Sequence, residues 1–174
     1  MLHAGDVLDL TPIGAVFRIK KTAAETGGRS FEMEWDLAPR TGGTPIHIHP
    51  QARESYEVLQ GELDVYVGGK WQALSSGEKL EVAPGVPHTF RNGSQAPVRV
   101  YNIHEPAMRF DAYFEGLDRI VKSGVIREGK ITPKVILYLS VLMTSFKDEI
   151  RSVSPPYTVT RIFALLGRLL GYRV

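Results

Sequence analysis

The chain has 174 residues, 43% hydrophobic and 23% charged, with no cysteine and a formal net charge of +2. That size and balance suit one globular domain with room for an appendage, and they exclude wholesale disorder and a membrane bundle. The lack of cysteine removes disulfides, thiolate metal sites and a cysteine nucleophile together, so any metal must be held by imidazole and carboxylate.

The first ten residues, MLHAGDVLDL, have no basic stretch and no long apolar run. They do not read as a signal peptide, and cytoplasmic residence is the default expectation. His3 reads as an exposed bystander. From here to about residue 105, short alternating runs broken by Gly, Pro and Asn predict roughly eight to ten strands of an all-β sandwich or barrel. In SFEMEWDLA, Phe31, Met33, Trp35 and Leu37 share one face, and Glu32, Glu34 and Asp36 the other. In ELDVYVGGKWQAL, Leu63, Val65 and Val67 alternate up to Gly68-Gly69, which suits a two-residue hairpin. PVRVYNIHE reads as a late strand.

Between these runs lies TPIHIHPQARESYEVLQGEL, residues 44–63. His47 and His49 are two apart, so on a strand both imidazoles point to one face. Glu54 is close enough in sequence to supply an anionic third ligand. The plainer alternative is a pair of solvated strand residues. GEKLEVAPGVPHTFRN, residues 77–92, adds His88 after a Pro-Gly turn and moves the balance toward a metal site. Imidazole with carboxylate suits Fe, Mn, Ni, Cu or Zn.

These two stretches resemble the paired motifs of the cupins, small β-barrel proteins. The first motif runs Gly, five residues, His-x-His, three or four residues, Glu, six residues, Gly. His47, His49, Glu54 and Gly61 fit it, with Gly42 one residue closer than the pattern asks. The second runs Gly, five residues, Pro-x-Gly, two residues, His, three residues, Asn. Gly77, Pro84-Gly85, His88 and Asn92 fit, with Ala83 where the first proline stands. Both departures touch loops and neither removes a ligand type.

The resemblance implies a mainly β fold, a cupin jelly-roll barrel over residues 1–108. A helical C-terminal extension over 109–174 would follow, without being an independent domain. It also implies that a divalent transition metal is bound by the matching His47, His49, Glu54 and His88. The lead GDVLDLTPIGAVFRI and the later AYFEGL are similar to quercetin dioxygenase-like bacterial cupins, a label for a likeness rather than an activity.

Around the site, Tyr56 and Val58 share parity with Glu54, and Phe90 shares parity with His88. All three are candidates to contact a substrate or simply to fill the barrel. Glu57 is expected to face solvent and Asn92 to close a turn. His104 is read as lying on the strand that leaves the barrel, away from the pocket.

After HEPAMRF the period changes. Phe110, Tyr113, Phe114, Leu117, Ile120 and Val121 predict a helix stopped near Gly124, with further helices over about 133–148 and 158–170. Charge changes with it: residues 1–117 carry 11 Lys+Arg against 15 Asp+Glu, whereas 118–174 carry 10 against 4. The last helix is basic and amphipathic. The expectation favours leucines packed on the barrel, on each other or across a homodimer, ahead of contact with a membrane surface.

No P-loop, G-x-G-x-x-G or G-x-S-x-G motif appears, and an acidic barrel speaks against nucleic acid. Two functions stay open: a metal-dependent oxygenase acting on a small phenolic or enolic molecule, and a non-catalytic small-molecule binding or sensing protein.

Overall fold

The computed structural model describes residues 1–127 and 129–173. Two antiparallel sheets face one another. One is ordered β1 (Val7–Leu10), β2 (Ala15–Lys21), β3 (Phe31–Leu37), β10 (Val98–Glu105), β5 (Arg53–Gln60), β8 (Lys79–Val82). The other is ordered β11 (Arg151–Ser154), β4 (Ile46–Ile48), β9 (His88–Arg91), β6 (Glu62–Val67), β7 (Lys70–Ser75).

Strand pleat explains which residues meet between the sheets. Phe31, Met33, Trp35 and Leu37 of β3 are all buried, as their alternation predicts, while Glu34 and Asp36 sit at the surface margin. Leu63 and Val65 of β6 enter the same core. The β6–β7 hairpin closes through Gly68 and Gly69, both at positive φ (61° and 83°), which a two-residue turn of matching twist requires.

Among the described residues, three of the four α-helices lie in the extension, and one short turn, α1 (Ala23–Thr26), precedes β3. α2 (Phe110–Lys122) lays its predicted apolar face on the barrel, where Phe114 stacks on Phe31 and meets Phe17 edge-on. α3 (Pro133–Ser145) starts at Thr132, whose hydroxyl accepts from the Val135 N–H, with Pro133 in the first turn. α4 (Tyr157–Leu169) packs against α3 so closely that a Cβ on Gly167 would stand 2.9 Å from Val141 Cγ2. No helix among the described residues is long and apolar enough to cross a membrane.

The extension is not purely helical. β11, which lies between the two helices predicted over about 133–148 and 158–170, pairs with β4 as Arg151↔Ile48 and Ser152↔His47. Four residues are too few to carry a period, and the strand exists because β4 offers it an edge.

Candidate metal centre

β4 and the residue that follows it, β5 and β9 supply three imidazoles and one carboxylate. His47 lies within β4, and His49 follows that strand directly. His88 opens β9 and is the register partner of His47, which puts their ring centroids 4.4 Å apart. Glu54 comes from β5 in the opposite sheet. One ligand atom from each of these four lies within 4.8 Å of the others, and all four residues are 1–3% exposed.

The ring orientations are fixed from behind. Nδ1 of His47 donates to the Pro45 carbonyl at 2.9 Å, Nδ1 of His88 to the Val86 carbonyl at 2.8 Å, and Nδ1 of His49 to the Glu149 carbonyl at 2.6 Å. A carbonyl only accepts, so each Nδ1 carries a proton and each neutral ring keeps the lone pair on Nε2. Nε2 of His88 stands 2.7 Å and Nε2 of His49 3.2 Å from Glu54 Oε2. Lone pairs facing a carboxylate at that range need a cation among them, a metal ion or a proton. The donor set therefore fits a divalent transition metal.

Glu54 is itself held by two donors. The Tyr56 hydroxyl reaches Oε2 at 2.7 Å and the Asn102 amide reaches Oε1 at 2.8 Å. Burial alone would raise its carboxyl, but the surrounding imidazoles of His104, His49 and His88 outweigh that and hold it well below the usual carboxylate range. Burial, with His49 and His88 nearby, keeps His47 well below the ordinary imidazole value. With a proton rather than a metal between its Nε2 and Glu54, His88 moves the other way: burial is the largest influence and lowers it, but the hydrogen bond to Glu54, that carboxylate's charge and the Val86 carbonyl together outweigh burial.

His104 belongs to the cluster, contrary to the sequence expectation. β10 pairs with β5 in the register His104↔Glu54 and Asn102↔Tyr56, so both β10 side chains arrive beside the carboxylate. Nε2 of His104 lies 3.4 Å from Glu54 Oε1, while its Nδ1 and the Asn102 Oδ1 are buried without a partner. Burial drives the His104 imidazole down to about 3. The i, i+2 spacing of Asn102 and His104 was the available signal for both.

Phe110 covers the group, with its ring centroid 4.0 Å from His104 and 5.1 Å from His49. Among the candidate contacts, Tyr56 touches Glu54, Phe90 packs on Trp35 and Tyr56, and Val58 is fully buried in the core. Asn92 closes a turn as expected, donating to the Ala38 and Ala96 carbonyls. His3 is exposed and Glu57 only partly buried.

Two facing antiparallel sheets enclosing an imidazole–carboxylate cluster define a metal-binding jelly-roll barrel. Residues 33–104 match the cupin domain family model. The barrel of this chain has the cupin jelly-roll fold, and its residues 33–104 carry that family's sequence pattern.

Over 54 residues the chain is 41% identical to the HTH-type transcriptional regulator SutR of Escherichia coli (strain K12), covering 30% of each chain. Over 68 residues it is 31% identical to Quercetin 2,3-dioxygenase of Bacillus subtilis (strain 168), covering 37% of this chain and 20% of that one. The match thus spans less than a third of either curated relative. In fold it is similar to KdgF from Halomonas sp. (TM-score 0.51, 20% identity, 61% of this chain and 90% of that one). It is also similar to an RmlC-like cupin from Shewanella frigidimarina NCIMB 400 (TM-score 0.50, 18% identity, 60% and 86%).

Proposed function

We propose that His47, His49, Glu54 and His88 hold one divalent transition metal ion, drawn from Fe, Mn, Ni, Cu and Zn. We propose further that the protein is a metal-dependent oxygenase of a small phenolic or enolic molecule. The observation that carries the reading is the set of backbone carbonyls behind three imidazoles, which commits their Nε2 atoms to one point beside Glu54. Such an ion supplies Lewis acidity and, in the redox-active members of the series, one-electron chemistry. The chain's own residues do the rest. Tyr56 and Asn102 orient the Glu54 carboxylate, and Phe110 keeps water from the cluster. Tyr56, Val58 and Phe90, all buried, form the apolar and aromatic wall beside the cluster, and a substrate would have to reach the ion past Phe110. The likeness to a segment of a quercetin dioxygenase is in keeping with this.

A second reading is a non-catalytic small-molecule binding or sensing protein. It is favoured by the depth of the cluster beneath Phe110 and by the likeness to a segment of a transcriptional regulator. Elemental analysis of protein purified without added metal, followed by oxygen uptake with phenolic and enolic compounds, separates the two. Near one equivalent of bound metal with substrate-dependent uptake supports the oxygenase. No uptake for any metal or compound supports the binding protein, and no bound metal overturns the metal site and with it the oxygenase.

A further inference from the structure

α4 is turned inside out for a helix at the edge of a globular fold. Its inward positions are small, with Thr160, Ala164 and Gly167 buried. Its outward positions carry the large apolar side chains: Ile162 is 59% exposed, Leu165 58%, Leu166 46%, Leu169 75% and Leu170 65%. Their spacing places them on one continuous face. The packed reading of these leucines does not hold within the chain. α4 rests on α3 and β11 and forms the outermost layer of the extension.

Two observations decide what fits this face. The first is area. A helix of thirteen residues is about 20 Å long and 10 Å wide, a footprint of roughly 200 Å². A stable dimer buries about 800 Å² per partner. The second is charge. No Asp or Glu follows Glu149 in the sequence, whereas Arg161, Arg168 and Arg173 are all exposed around the stripe. Pairing this face with its own copy would set arginines together with no carboxylate from either segment.

The arginines are also placed. A groove of about 310 Å³ beside the stripe is lined by Val141, Ser145, Arg168, Tyr172 and Arg173. Arg168 is braced there by the Thr144 hydroxyl at 2.9 Å, and Arg173 donates to the Arg168 carbonyl at 3.3 Å. Two guanidinium groups beside exposed leucines match a phosphate ester joined to acyl chains.

We propose that α4 docks the protein on a bilayer rich in anionic phospholipid, its leucines among the acyl chains and Arg161, Arg168 and Arg173 on the headgroup phosphates. The full chain should co-sediment with vesicles of phosphatidylcholine and phosphatidylserine and stay in solution with phosphatidylcholine alone. Binding should fall steeply as salt rises from about 0.1 M to about 1 M, where the Debye length shrinks from roughly 10 Å to roughly 3 Å and screens the attraction. The pair Leu165→Ser and Leu169→Ser should weaken it about tenfold or more, and the pair Arg161→Gln and Arg173→Gln about three- to tenfold. Both pairs lie on the surface, and unchanged circular dichroism checks their folding. The salt series on the unaltered chain tests the proposal even if a variant misfolds. Equal binding to both vesicle types, full binding by the leucine variant, or no binding at all would each overturn it. A concentration-dependent dimer abolished by the leucine changes, without vesicle binding, would assign the face to a second copy instead.

Discussion

Glu149 offers its backbone carbonyl to Nδ1 of His49, a hundred residues earlier in the chain, at 2.6 Å. The acceptor is main chain, so no side-chain substitution at position 149 deletes it directly. Deleting residues 146–174 would do so. That truncation should lower metal affinity about 10–100-fold, the usual effect of removing a partner behind a metal-bound imidazole. Calorimetric titration of both chains with the same divalent ion measures it.

Replacing ligands should act more severely than replacing their supports. His47→Ala with His49→Ala should abolish stoichiometric metal, whereas Tyr56→Phe keeps the ring and removes one hydrogen bond of 2.7 Å to Glu54. The phenylalanine variant should still bind, about 10–100-fold more weakly. Metal content by elemental analysis and affinity by calorimetry distinguish the two.

Phe110 is both wall and roof. It is 1% exposed and packs on His104 and His49. Phe110→Ala should cost about 3–5 kcal/mol of stability by opening a cavity in the core. The same change should speed removal of bound metal by a chelator. Urea unfolding reads the first effect and chelator kinetics the second.

Stability should fall in acid partly through Asp36. Burial pushes its carboxyl up, but hydrogen bonds from Arg99, at 2.8 Å, and from Arg18 outweigh that and hold it below 3.8. A lowered folded-state value means the ionised form is favoured by folding. Its contribution is therefore complete above the ordinary aspartate range and disappears as pH drops below it. Asp36→Asn should flatten the decline in urea midpoint between about pH 5 and pH 3 relative to the unaltered chain.

The parts legible in the sequence were those with a local period or a spaced motif. The alternation of Phe31 to Leu37 located β3, and the 3.6-residue rhythm from Phe110 located α2. The four candidate ligands, three imidazoles and one carboxylate, stood in two motifs, and the fold brings their ligand atoms within 4.8 Å of one another. What escaped notice depends on register between distant strands. His104 and Asn102 reach Glu54 only because β10 lies beside β5 with those residues opposite Glu54 and Tyr56. β11 and the Glu149 carbonyl depend on how the extension folds back, which no window of sequence contains. The exposure of the α4 leucines within the chain escaped notice for a related reason, since amphipathicity tells which face is apolar but not whether a neighbour covers it.

β11 has a further consequence for anyone who handles the barrel by itself. A fragment ending near residue 108 would contain both histidine motifs, yet β4 would be left with raw hydrogen-bonding groups along its outer margin. Another chain's β4 could satisfy them, so such a fragment is prone to self-association. The last quarter of the polypeptide thus finishes the vessel as well as stoppering it.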